Sequence, residues 1–171
     1  MKSVQPIASL MLILSRILSV VYFLLAFITG IAILLKPSFL RLDPDGRNFN
    51  VLYPLTHVTM VRGENSSFYI TEMILIMVLY GFFFWLLGNV FSIFRKNRLF
   101  TLENIRHLEL FYKGNFLVPF LFLAYHIVIR YELETTAFLA VLHAVLGTFT
   151  YFMTAIFKQG LHLQKEQDLF I

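Results

Sequence analysis

The chain has 171 residues, of which 58% are hydrophobic and 14% charged, with a formal net charge of +4. A soluble domain averages about 45–50% apolar and about 25% charged residues, and here the apolar residues run in long blocks with the charges between them, which rules out an aqueous fold built on half-polar helices. The absence of cysteine excludes disulfides, thiolate nucleophiles, cysteine zinc sites and quinone-linked thiol oxidoreduction, and the small positive charge gives no sign of direct nucleic-acid binding.

The first apolar block covers residues 7–35, with Arg16 as its one charge. About 20 apolar residues cross a hydrocarbon core of roughly 30 Å, so Ile17–Leu35 suffices alone, and residues 7–15 either prolong the helix or lie in the interface. The run exceeds the h-region of a signal peptide, and Leu35-Lys36-Pro37 offers no small-residue cleavage site, so a retained span is expected. Residues 36–69 form a long polar connection punctuated by Pro37, Pro44, Gly46 and Pro54. Within it, Asp43-Pro44-Asp45-Gly46 predicts a turn. The Val-, Thr- and Tyr-containing stretch Asn50–Val61 is compatible with a short strand or hairpin. Asn65-Ser66-Ser67 matches a glycosylation sequon, a common motif that carries little weight alone.

The second span is expected over 70–94, with Glu72 near its start and Asn89 near its end. The connection 95–107 opens with Arg95-Lys96-Asn97-Arg98. From Phe100 to Lys113 it reads as an amphipathic helix: Thr101 is a suitable N-cap, Glu103 suits the first turn, and Leu102, Ile105, Leu108 and Tyr112 recur at helical spacing. Such a helix either packs on the membrane surface as it feeds the third span or offers a docking face to a cytoplasmic partner. The third span, 108–131, needs Lys113 to reach back to the interface, and Pro119 predicts a bend within it. The fourth, 136–157, has His143 as its one ionisable residue. A tail, 158–171, ends in Leu169, Phe170 and Ile171, read as folding back while Glu166 and Asp168 neutralise the basic connection.

Orientation follows from Lys and Arg in the flanks. With the N-terminus inside, the inner side holds Lys2, Arg16, Arg95, Lys96, Arg98, Arg106, Lys113, Lys158 and Lys165, against Lys36, Arg41, Arg47, Arg62 and Arg130 outside. The expected architecture is an all-α membrane protein: a four-helix transmembrane bundle, with a long outer loop between helices one and two and an amphipathic cytoplasmic helix before helix three. Both termini are expected in the cytoplasm.

Two segments carry a family resemblance. Arg98-Leu99-Phe100-Thr101-Leu102-Glu103-Asn104-Ile105-Arg106-His107-Leu108 resembles a "pFt-x-eN-x-x-x-L" segment. Phe157-Lys158-Gln159-Gly160, followed by Leu163-Gln164-Lys165-Glu166-Gln167-Asp168-Leu169-Phe170-Ile171, resembles an "F-x-x-G … Lq-x-E-x-DLtI" ending, with Phe170 departing from the small hydroxyl residue usual before the last isoleucine. Together they resemble the bacterial four-span membrane family known as domain of unknown function 2975 (DUF2975). The resemblance implies the cytoplasmic membrane of a bacterium and no established reaction. It also implies a gene neighbour, a small helix-turn-helix transcription regulator, and hence a partner for the cytoplasmic face.

Titratable groups inside spans are functional candidates because burying them in lipid is costly. Glu72, His126 and His143 all fall in the expected outer half, where together they could titrate, hold a cation or bind a small ligand. The structural alternative is interhelical hydrogen bonding of each histidine, and no paired-histidine spacing suggests a metal. Arg16 and Asn89, toward the inner half, are read as a structural polar pair. No glycine-rich phosphate loop, hydrolase elbow or cofactor box is present, so no cofactor is expected. The leading expectation is a non-enzymatic sensor or regulator. Its partner surface would comprise Arg95, Lys96, Arg98, Arg106, Glu166, Asp168 and Ile171. Alternatives are a small transporter, channel or ligand-binding protein using Glu72, His126 and His143, and, ranked last, an enzyme acting on lipid. Homo-oligomerisation stays open.

Overall fold

The first apolar block folds as one helix, α1 (Val4–Leu35), so residues 7–15 prolong the span rather than lying apart from it. The computed structural model describes residues 4–35, 38–53, 56–130 and 134–168. After α1 come three strands, β1 (Leu40–Leu42), β2 (Asn48–Leu52) and β3 (Thr59–Glu64). Three helices follow: α2 (Ser67–Ile93), α3 (Leu102–Tyr125), which passes into a π-helical turn at His126–Arg130, and α4 (Glu134–Asp168). All four helices are long and apolar enough to cross a membrane, and no more than 22% of the most apolar window of any of them is buried within the chain. A water-soluble protein does not leave that much contiguous apolar surface uncovered. The pattern is that of a multi-pass membrane protein.

The expectation of an all-α chain is corrected by the sheet. Its order is β1-β2-β3, antiparallel throughout, with a register irregularity between Val51 and Leu52. The cause is legible in β2, where Phe49 and Val51 alternate with Asn48 and Asn50, and both apolar side chains are fully buried. They form a core with Val61 from β3, Ala32 from α1 and Ile70 from α2. The β1–β2 turn uses Gly46 at φ +68°, a left-handed conformation that glycine adopts without strain. Asp43 ties the turn down: its carboxylate accepts from the side-chain amides of Asn50 (2.7 Å) and Asn48 (3.1 Å) and from Arg62 (2.8 Å).

The residues divide into two compact units, one comprising Leu14–Trp85 and the other the residues up to Ile13 together with those from Leu86 onward. In the first, α1 and α2 approach closely where Phe23 lies on Gly81. A Cβ there would come within 2.8 Å of the ring, and Ser19 Oγ donates to the Gly81 carbonyl at 2.8 Å. A small residue admitting a neighbouring helix, sealed by one polar contact, is the usual solution in lipid.

In the second unit, α3 is unbroken from Leu102 to Tyr125. The amphipathic segment and the third span are therefore one helix, because no glycine or proline interrupts residues 102–113. Its N-cap is Thr101, whose hydroxyl accepts from the Asn104 N–H. Pro119 sits inside the helix. α4 has 35 residues, about 50 Å at 1.5 Å per residue, well beyond a hydrocarbon core of about 30 Å. The tail is thus the projecting end of the last helix as far as Asp168.

Candidate functional site

The two segments singled out by resemblance meet in a single joint within the second unit. Asn104, fully buried, is its centre. Its Nδ2 donates to the carbonyls of Leu99 (2.8 Å) and Arg98 (3.3 Å), and its Oδ1 accepts from Lys96 Nζ at 3.1 Å. Lys96 also pairs with Glu103 at 3.0 Å, and His107 Nε2 lies 3.7 Å from the same carboxylate oxygen. One amide therefore pins a connection whose carbonyls would otherwise lack helical partners. Phe100, at the end of that connection, lies against Gly160 of α4, where a Cβ would stand 2.6 Å from the ring, and packs edge-on to Phe157, which Phe94 also meets edge-on. The Phe-x-x-Gly spacing makes sense physically. Residues three apart share a helix face, so Phe157 forms a wall and Gly160 a floor for Phe100.

From this joint a polar and aromatic seam runs along α3 and α4. Glu109 bridges to Lys158 at 2.7 Å, with Lys113 at 4.0 Å. Tyr112 meets Tyr151 edge-on, and Phe116 covers Gly147. Farther along, His143 Nδ1 lies 2.7 Å from Asn115 Oδ1, while Asn115 Nδ2 donates to the Phe111 carbonyl. An amide oxygen only accepts, so His143 carries its proton on Nδ1. Beyond that pair the seam opens into a cavity of about 500 Å³ lined by Phe120, Leu123, Ala137, Ala140, Val141, Ala144, Val145, Thr148, Phe149 and Phe152. It is an open groove whose lining is almost wholly apolar, with Thr148 as the one hydroxyl-bearing side chain.

The joint and the seam thus occupy the connection and the last two helices. A model of the family described as "Protein of unknown function (DUF2975)" matches residues 41–171, which takes in both. The chain belongs to the DUF2975 family. No curated protein and no solved structure matches it.

In this DUF2975 protein the candidate residues fall in different settings. Arg95, Arg98 and Arg106 are exposed, whereas Lys96 is half-buried in the joint. Glu166 is exposed and 3.2 Å from His162 one turn earlier on its own helix. Ile171 and the side chain of Asp168 lie outside the described residues, as do the last residues read as folding back. Arg16 stacks on the Trp85 ring, 3.9 Å from its centroid, in a cation–π contact, and donates to the Trp85 carbonyl at 3.0 Å. The Asn89 carbonyl accepts from Ser92 Oγ at 2.6 Å. Glu72 is half-buried on α2 in the first unit, and His126 is buried against Phe122 and Tyr125 at the start of the π-helical turn. Among the described residues, no three His, Asp or Glu side chains converge as a metal site would require.

Sequence reasoning met Asn104 only within the resemblance motif and assigned no role to it or to Asn115, the two buried amides that organise the unit. A signal was available for each: Asn104 sits one residue after the first-turn Glu103, and Asn115 is a polar residue within an apolar stretch. The sequon reading is also reshaped. Asn65 Nδ2 donates to the Gly46 carbonyl at 3.0 Å, and Ser66 Oγ accepts from the Tyr69 N–H at 3.2 Å at the start of α2. Both residues have structural work that accounts for their presence.

Proposed function

We propose that this DUF2975 protein is a non-enzymatic sensor or regulator of the bacterial cytoplasmic membrane, with both termini inside, acting through a cytoplasmic partner. The observation that carries the reading is the joint. The connection is held to α3 by the Asn104 amide and to α4 by Phe100 on Gly160, while Arg95, Arg98 and Arg106 are left exposed. Three guanidinium groups on a pinned backbone suit an acidic protein surface, since arginine binds carboxylates through a fixed fork. The partner implied by the family resemblance is a small helix-turn-helix regulator.

The test is purification of the tagged protein from its native host in mild detergent, with co-purifying proteins identified by mass spectrometry. A stoichiometric DNA-binding protein is expected with the wild type and lost in the variant Arg95→Glu, Arg98→Glu, Arg106→Glu at unchanged thermal stability. Lys96 is left intact because it belongs to the joint. Retention of the same partner by the variant would overturn the reading.

A second reading, a small transporter or ligand-binding protein, is favoured by the His143–Asn115 pair within the spans. It expects transport or ligand binding to be lost in His143→Ala.

A further inference from the structure

We propose that the groove between α3 and α4 is a lipid site: it takes one acyl chain of an anionic phospholipid whose phosphate pairs with Lys113. This rests on these two helices being spans and is independent of any cytoplasmic partner. All the residues concerned lie in the unit that includes Leu86–Ile171.

Charge along the two helices gives the first argument. Residues 114–129 and 135–157 contain no Asp, Glu, Lys or Arg. Charge resumes at one level, with Glu109 and Lys113 on α3 and Lys158 on α4, joined by the bridges Glu109–Lys158 (2.7 Å) and Glu109–Lys113 (4.0 Å). Long apolar runs lie in hydrocarbon, while lysine ammonium groups reach the headgroups, so this cluster stands at headgroup depth. One carboxylate there serves two ammonium groups, which leaves a surplus of one positive charge. Lys158 holds Glu109 closely. Lys113 reaches it only at 4.0 Å and keeps 61% of its side chain exposed, so it is the cation left to meet a phosphate.

The shape of the groove gives the second argument. It starts beside that cation: Lys113 Nζ lies 6.0 Å from the centroid of the Tyr112 ring, Tyr112 meets Tyr151 edge-on, and the next residue, Phe152, lines the groove. From Phe152 the lining follows α4 as far as Ala137, about 22 Å at 1.5 Å per residue. One leaflet fills about half of a hydrocarbon core of roughly 30 Å, so a whole acyl chain fits along the groove from a headgroup at Lys113. The volume of about 500 Å³ falls within the range of small-ligand sites, about 300–1,000 Å³. The third argument sets lipid above a second copy of the chain. A copy inserted the same way round brings the same surplus of positive charge to the same depth, and like charges oppose the contact. A phosphodiester brings the opposite sign.

The test offers the purified full-length protein, in mild detergent, equal amounts of dioleoyl phosphatidylglycerol and dioleoyl phosphatidylcholine, and native mass spectrometry counts the lipids retained. The wild type is expected to keep one phosphatidylglycerol in preference to phosphatidylcholine. Lys113→Gln should cut that preference about fivefold, the worth of one lysine at an anionic surface. Lys165→Gln, at an exposed lysine near the end of α4, should leave it unchanged. Val145→Trp, at a lining position that is 63% exposed, should lower retention of both lipids. Equal retention of the two lipids by the wild type, an unchanged preference in Lys113→Gln, or unchanged retention in Val145→Trp would each overturn the proposal. So would a lipid-free dimer that Val145→Trp converts to a monomer, which would give the groove to a second copy. Lys113→Gln alters an exposed side chain and decides the case whether or not Val145→Trp folds.

Discussion

At the scale of single residues, two polar side chains decide local structure, and each makes a testable demand. Asn104 is fully buried and serves two carbonyls and a lysine at once. Asn104→Ala strands those carbonyls, and a buried unsatisfied polar group costs about 1–3 kcal/mol. The expected result is a lowered unfolding temperature in detergent and faster proteolysis after Arg95 and Arg98, with α1 and α2 unaffected. Asp43 makes a different demand. Hydrogen bonds from Asn50 and Asn48, then the nearby Arg62 charge, hold its carboxyl below its ordinary value. A carboxyl whose folded-state pKa is depressed contributes stability above its unfolded pKa and loses that contribution as pH falls through the folded one. Acidification below the usual carboxylate range should therefore loosen the β1–β2 turn, and Asp43→Asn should remove that pH dependence. Proteolysis of the 43–48 turn as a function of pH checks both. Neither role was plain in the sequence. Asp43 was read as a turn former, which it is, but the Asn50 and Arg62 contacts depend on strand register, which pairs residue 50 with 62 and which no local pattern reveals.

At the scale of elements, apolar length made the helices legible, because lipid demands long uninterrupted runs. The joints were not, because they depend on residues far apart in the chain. Phe100 and Gly160 are separated by α3 and most of α4, and a glycine near a helix end reads from sequence as a cap rather than as a floor for a ring. With ring atoms 2.6–2.8 Å from the place a Cβ would occupy, even Gly160→Ala must displace Phe100. Overpacking of this kind costs about 1–3 kcal/mol. Phe100→Leu in the same chain should recover part of that loss, which a double-mutant cycle on thermal unfolding would measure. Glu109 and Lys158, 2.7 Å apart across the same pair of helices, offer a second probe. Glu109→Lys should weaken the pairing by like-charge contact with Lys158 and Lys113, and Glu109→Lys with Lys158→Glu should restore it. The sheet was half legible: the alternation in β2 announces a strand, while the short β1 has too few residues to stand out. His143 was grouped in the sequence with other titratable groups, yet its bond goes to an amide. A search confined to charge could not find Asn115.

At the scale of the whole molecule, the open question with the largest consequence is which side of the membrane the joint faces. The positive-inside rule weighs short loops near span ends most heavily, and Arg95-Lys96-Asn97-Arg98 is such a loop. The structure adds that Lys96 is committed to Asn104 and Glu103, but Arg95 and Arg98 remain exposed, so the local bias persists after internal pairing is counted. A cytoplasmic joint is the expected result. The exposed residues Asn97 and Asp45 test it as single cysteines in the otherwise cysteine-free chain. In intact spheroplasts a membrane-impermeant maleimide should label Asp45→Cys and leave Asn97→Cys unmodified until the membrane is permeabilised. The reverse pattern would put the three exposed arginines outside, where an intracellular regulator cannot reach them, and would end the partner reading. The labelling experiment should therefore come before any search for a partner.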